Sequence, residues 1–298
     1  MPRHRKKRKT HALVSEEEQQ QKVPITMVCK KGKLASSIAD LVLDLRNMLR
    51  PYTTRKMQEN ASSSLQEFST IAKKLGVSHL WILSESVSNT TLRIGRLPKG
   101  PTFIFRVNWF SLAADVRKAQ KHPHTVNDAE LKDPPLLVLH GFEDSTVEEK
   151  MTSSLFQFMF PAIDWKTLRP QSVKRVLLVH YDRDSQHIEI RHYLVRTNPV
   201  GLSRPIRKLL YRKLPKRLHN LTDISELIEG GDGAYSSESE GEGTEDTRCS
   251  LPSEKDGTCK KAAVILHEVG PRMSLTLLQI YEELFSGSLL YESKSTEK

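Results

Sequence analysis

Little in this chain suits a lipid bilayer, an oxidising compartment or a bound nucleotide. No apolar run approaches the ~18 residues that a membrane span needs. Only three cysteines occur among 298 residues, Cys29, Cys249 and Cys259. They lie far apart or in polar sequence, which makes neither a disulfide framework nor a zinc site. The first residues are basic, but the apolar stretch at 11–14 is too short for a secretory core, and Glu16, Glu17 and Glu18 follow at once. Hydrophobic residues make up 37%, lean but enough to bury a core, so disorder throughout is excluded. The expectation is a soluble intracellular protein of a reducing compartment, with no membrane among its partners.

Catalytic signatures are equally sparse. There is no G-x-x-x-x-G-K-[ST] loop to cradle phosphates, and Lys30-Lys31-Gly32-Lys33 is simply basic. His122 and His124 lack a third and fourth ligand at useful spacing. A Gly-x-Ser-x-Gly nucleophile elbow is absent. His79, His140 and His180 lie among apolar strand residues and read as hydrogen-bonded core groups. Asp182 and Asp184 suggest Mg²⁺-dependent phosphodiester hydrolysis, but they bracket a short turn, where Asp serves its own backbone. The chain is expected to be no enzyme, with no catalytic residue, no metal and no cofactor.

Charge is what the chain has, and it is segregated. The formal net charge is +10. Residues 1–9 hold six Lys/Arg and no acid, residues 190–222 nine and no acid, and residues 223–246 nine acids and no Lys/Arg. A dense positive patch attracts a polyanion, whereas scattered charges stay solvated. The arm Arg3, Arg5, Lys6, Lys7, Arg8 and Lys9 reads as a nuclear import signal, a nucleic-acid anchor, or both. The Ser- and Glu-rich stretch at 236–246 has almost nothing apolar to bury and is expected to be a disordered linker. A sharper reading makes it an intramolecular competitor for the basic block before it.

Periodicity places the elements. Ile38, Leu41, Val42, Leu45, Met48 and Leu49 predict a helix capped by Ser36 or Ser37 and stopped by Pro51. Ser64 and Glu67 form a capping box for a second helix over 65–75, with Gly76 past its end. Strands follow at 77–83, 90–96 and 102–107, then a helix capped by Ser111. The second half repeats the ingredients: a strand at 136–139, a helix at 148–158 with Met151, Leu155 and Phe158 on one face, and strands at 173–181 and 186–193. Residues 262–269 and 274–281 flank Gly270-Pro271-Arg272 as a hairpin, although 277–285 also suits a helix. The pattern is that of an α/β (α+β) protein of two similar halves.

One segment combines both themes. Ser203 caps a helix with Pro205 in its first turn. Ile206, Leu209 and Leu210 share one side, with residues 213–214 at its margin; Arg204, Arg207, Lys208, Tyr211 and Arg212 project from the other. Pro215 ends it, and Lys216 and Arg217 extend the positive surface. The expected RNA-binding residues are the N-terminal arm, Lys99, Arg204, Arg207, Lys208, Arg212, Lys213, Lys216 and Arg217.

Several blocks resist a generic explanation. Residues 97–105, Leu-Pro-Lys-Gly-Pro-Thr-Phe-Ile-Phe, resemble the LPxGPTxxF signature of the Brix domain. Residues 134–139 and 155–161 match the next blocks of that family in order. Arg191-His192-Tyr193, residues 199–204, residues 223–227 and residues 269–273 resemble its Peter Pan branch. The likeness runs from about Lys30 to Tyr281, interrupted at the acidic stretch.

That resemblance implies a Brix domain of two similar halves, each a small mixed sheet with helices, akin to anticodon-binding domains. With the charge pattern, it divides the chain into a disordered basic arm at 1–24, the main part of the domain at 25–230, a disordered acidic linker at 231–261, a C-terminal element returning to the domain at 262–285, and a tail at 286–298. It implies a nucleolar factor that binds precursor ribosomal RNA and helps assemble the large ribosomal subunit. A helical assembly-factor partner and neighbouring pre-ribosomal proteins are the implied company. The competing expectation is a protein-interaction scaffold in which strands 136–139 and 275–280 offer edges or grooves to a partner.

Overall fold

The structure, a computed structural model, describes residues 23–293 except 55–56, 58, 60–62, 87–88, 122, 144, 164–171, 200–247 and 253–258. The first half holds β1 (Thr26–Lys31), α1 (Ser36–Met48), α2 (Leu65–Lys74), β2 (His79–Glu85), β3 (Thr90–Arg96), β4 (Thr102–Ser111) and α3 (Ala113–Ala119). The second holds β5 (Leu136–His140), α4 (Val147–Phe158), β6 (Arg175–Asp182), β7 (His187–Pro199), β8 (Arg248–Pro252), β9 (Cys259–Glu268), β10 (Arg272–Tyr281) and β11 (Leu289–Glu292).

The strand order β1-β2-β3-β4-β10-β7-β6-β5 exposes an internal symmetry. β1 runs parallel to β2, and β2, β3 and β4 are antiparallel neighbours. β5 likewise runs parallel to β6, and β6, β7 and β10 are antiparallel neighbours. Each half is therefore a strand, a helical crossover, and three strands in a meander. The halves do not stay separate small sheets: β4 and β10 pair antiparallel along nearly their whole length and fuse them edge to edge.

Burial follows the pleat. In β1 and β2, Val28, Trp81 and Leu83 enter a large core beneath α1, while Met27, Cys29, Leu80 and Ile82 enter a second core beneath α2. Both faces are covered there, so these strands read as unbroken apolar runs rather than as alternation. Leu155, Phe156 and Met159 at α4 join Leu177, Val179, Ile188 and Ile190 in the large core.

The halves are also bolted together by polar contacts. Arg175 on β6 is fully buried and donates to the carbonyls of Met48 at 3.2 Å, Arg50 at 2.5 Å and Asp133 at 2.6 Å. Burial and the neighbouring Arg50 charge hold its guanidinium down to about 10. Trp81 Nε1 donates to Met159 Sδ at 3.2 Å, and the Arg96 guanidinium lies 4.4 Å from the Phe158 ring centroid.

Several expectations are corrected. The residue capping α1 is Ala35, whose N–H is taken by the Glu85 carboxylate at 2.7 Å, so Ser36 is already helical. Ser111 does not cap α3; Leu112 does, and Asp44 accepts from Ala113 N–H at 2.8 Å. Phe158 leaves the buried face of α4 and is 52% exposed, while Phe156 takes the inward position. Residues 262–269 and 274–281 are strands but form no hairpin with each other. Both pair with β7, β9 along 193–199 and β10 along 187–190. The helical alternative for 277–285 fails because β10 lies inside the sheet. Ser64 does cap α2, accepting from Glu67 N–H at 3.2 Å, and Gly76 follows it with φ +68°. Residues 289–292, placed in the tail, form β11 against β10.

Candidate nucleic-acid interface

The family-like blocks prove to be packing devices. Leu97 is buried in the second core, and the following turn closes on residues 282–285. Gly100 has φ +126°, and a Cβ there would lie 2.5 Å from the Glu282 carbonyl oxygen. Thr102 Oγ1 donates to the Glu283 carbonyl and accepts from Phe285 N–H, both at 2.9 Å. Lys99 sits exposed at the tip of this turn. The blocks at 191–193 and 269–273 meet one another. Val269 N–H donates to the His192 carbonyl at 3.0 Å, and the buried His192 Nδ1 donates to the Gly270 carbonyl at 3.0 Å. Arg272 pairs with Glu268 at 2.5 Å.

Of the expected RNA contacts, Lys99 alone falls among the described residues. The arm Arg3 to Lys9 and the block Arg204 to Arg217 lie outside them. The frame that carries the block is described, however. Ala262 on β9 pairs with Pro199 on one side and Cys249 on the other. With strands ~4.8 Å apart, residues 199 and 249 stand about 10 Å from each other. The excursion at 200–247, holding both the basic block and the acidic stretch, thus leaves and rejoins the fold at one end of a three-stranded ribbon.

The face of the sheet opposite α1 and α4 holds features the sequence reading missed. A register shift beside Asn108 turns it and Trp109 toward this face. Asn108 Nδ2 donates to Thr276 Oγ1 at 2.8 Å, and Thr276 Oγ1 meets His187 Nδ1 at 3.1 Å. Trp109 is 44% exposed. Arg106 makes its hydrogen bond to the neutral Asn108, at 3.4 Å, while Arg191 is paired with Glu189 at 2.9 Å. Alternation of Phe103, Phe105 and Val107 would have put Arg106 here; the bulge that swings Trp109 over has no local signature.

The histidines divide. His79 is buried, as expected, and donates from Nδ1 to Ser78 Oγ at 2.9 Å. His140 and His180 are not core groups: they share the outer face of β5 and β6, Nδ1 to Nδ1 2.8 Å. Asp182 accepts from Asp184 N–H at 3.2 Å and from Ser185 Oγ at 2.6 Å, which is the turn-forming role. Among the described residues no group of three or more His, Cys, Asp or Glu is arranged to hold a metal. No helix among them is long and apolar enough to cross a membrane.

The architecture is a duplicated strand-helix-meander domain whose halves share one sheet. The Brix domain profile matches residues 32–279. The Peter Pan-like protein of Arabidopsis thaliana is 36% identical, over 91% of this chain and 78% of its own length. The Suppressor of SWI4 1 homolog of Mus musculus is 35% identical over 98% of this chain, which spans 62% of the mouse protein. Ribosome biogenesis protein SSF1 of Saccharomyces cerevisiae is 33% identical over the whole chain and 80% of its own length. This chain belongs to the Brix-domain family, in its Peter Pan branch.

Proposed function

We propose that this protein is a non-catalytic ribosome-assembly factor that binds precursor ribosomal RNA in early nucleolar large-subunit particles and supports RNA folding and processing there. The observation that carries the reading is the anchoring of the 200–247 excursion. Its nine-cation block, shared between β7 and residues 200–222, is delivered from one end of a three-stranded ribbon in a chain related to a named ribosome biogenesis protein. Lys and Arg neutralise phosphates and release counterions, and Arg stacks on splayed bases. The arm at 3–9 adds a second cationic contact, and Lys99 a third. A helical assembly factor and neighbouring pre-ribosomal proteins complete the particle.

The test is RNA crosslinking in isolated pre-ribosomal particles, with Arg204, Arg207, Lys208 and Arg212 changed to Glu. Crosslinks at 200–217 should vanish while the fold persists; their survival would remove this segment from the interface. The scaffold reading keeps one specific support, because β5 is an edge strand paired only with β6 among the described residues. Residues 275–280 offer no such edge, since β10 pairs with β4 along its length and, on its other side, with β7 at 273–276 and β11 at 279–281. Partner association that persists after nuclease treatment would favour the scaffold.

A further inference from the structure

A row of polar side chains crosses the sheet on the face opposite α1 and α4. Cross-strand partners share a face, so the registers trace it from β1 to β7 as Lys31, Ser84, Thr91, Arg106, Thr276 and His187. Arg93 lies beside it on the same face, two residues along β3 from Thr91. All seven are partly exposed. On this face α2 covers only the neighbouring apolar positions Met27, Cys29, Leu80 and Ile82.

The formal charge of the row is entirely positive. Arg93 Nη1 donates to Ser84 Oγ at 3.0 Å and Arg106 Nε to the neutral Asn108. Neither they nor Lys31 form an ion pair among the described residues. The acids farther along this face are engaged: Glu189 by Arg191, Glu268 by Arg272, Asp182 by its own turn and Glu292 by Gln279. Trp109 stands beside this band. Ser274 flanks it on one side, and β3 begins at Thr90, opposite Val107, so no described strand flanks the other side of the ring.

We propose that this band is a further RNA contact and that it takes a single-stranded segment. Phosphates lie on Lys31, Arg93 and Arg106, and a base stacks on Trp109, beside the neutral donors and acceptors of Asn108, Thr276 and His187. The proposal rests on the RNA-binding reading above and adds the class of RNA. An exposed indole offers its face to an unstacked base, which the interior of a duplex does not present. An acidic peptide would satisfy the cations but leave the ring without a planar partner.

The experiment uses the full chain with Trp165→Phe, so that the exposed Trp109 and the buried Trp81 are the remaining indoles. The probes are an oligouridylate of about twelve nucleotides, within the ~4–16 that single-strand-binding folds occupy, a duplex RNA of equal length, and poly-glutamate. The oligouridylate should quench Trp109 emission. Trp109→Ala should weaken its binding about tenfold, and Trp109→Phe should restore most of it. Lys31→Gln with Arg106→Gln should make the salt slope shallower by about 1.4. Absence of quenching, a Trp109→Ala chain that binds like its parent, or equal quenching by duplex or poly-glutamate overturns the proposal. The same titrations with Arg204, Arg207, Lys208 and Arg212 changed to Gln separate the two readings. Binding lost there but untouched by Trp109→Ala removes the band alone, whereas a parent chain that binds no RNA removes both.

Discussion

Acid should loosen this fold, and two buried histidines set the size of the effect. Burial pushes both His79 and His192 down to about 4, with Arg96 and Arg175 respectively adding repulsion. In each ring Nδ1 already donates, and Nε2 is buried with no hydrogen-bond partner among the described residues. A second proton would therefore create an unpaired N–H in a dry site. The unfolded chain takes that proton near pH 6.5 and the folded chain near 4, so stability is full above the higher value and is lost as pH falls between them. From pH 7.5 to 5.5 each histidine should remove about 1.3 kcal/mol, the pair about 2.6 kcal/mol. Urea unfolding at the two pH values measures the loss. His192→Gln or His79→Gln will lower stability at pH 7.5, yet each should remove about half of the pH dependence. A wild-type midpoint that does not move over this interval, or single variants that keep the whole drop, would refute the reasoning.

Other expectations concern the joints of the fold. Arg175→Met leaves three carbonyls without their donor and should cost about 3–5 kcal/mol in chemical denaturation; a loss below ~1 kcal/mol would contradict the bolt between halves. Gly100→Ala forces a Cβ against the Glu282 and Glu283 backbone and should cost at least ~2 kcal/mol, with faster amide exchange at 283–285. Ser64→Ala removes the cap of α2 and should cost about 1 kcal/mol, felt most at Phe68 and Ala72.

How much was legible depended on how local the cause was. α2 could be read from Ser64, Glu67 and Gly76 because cap, stripe and stop lie within one short stretch. β1 escaped notice because Met27, Val28 and Cys29 are buried on both faces and show no period of two. The caps of α1 and α3 were misplaced because Glu85 and Asp44, distant in sequence, satisfy their first amides. β10 looked like half of a hairpin because Gly270-Pro271 resembles a turn; its true neighbours, β4 and β7, precede it by more than seventy residues. The blocks at 97–105, 191–193 and 269–273 marked the family correctly, but their reasons, a backbone approach at Gly100 and a buried His192, are three-dimensional. For the candidate interface, charge segregation pointed to 204–217, while Trp109 depends on a bulge that no local pattern announces.

The central claim is that cations of the 200–217 block neutralise RNA phosphates. Its most direct test is the salt dependence of precursor-RNA binding for the wild type and for a chain with Arg204, Arg207, Lys208 and Arg212 changed to Gln. Four lost phosphate contacts should make the log–log slope shallower by about 3. A slope identical to that of the wild type would contradict the account.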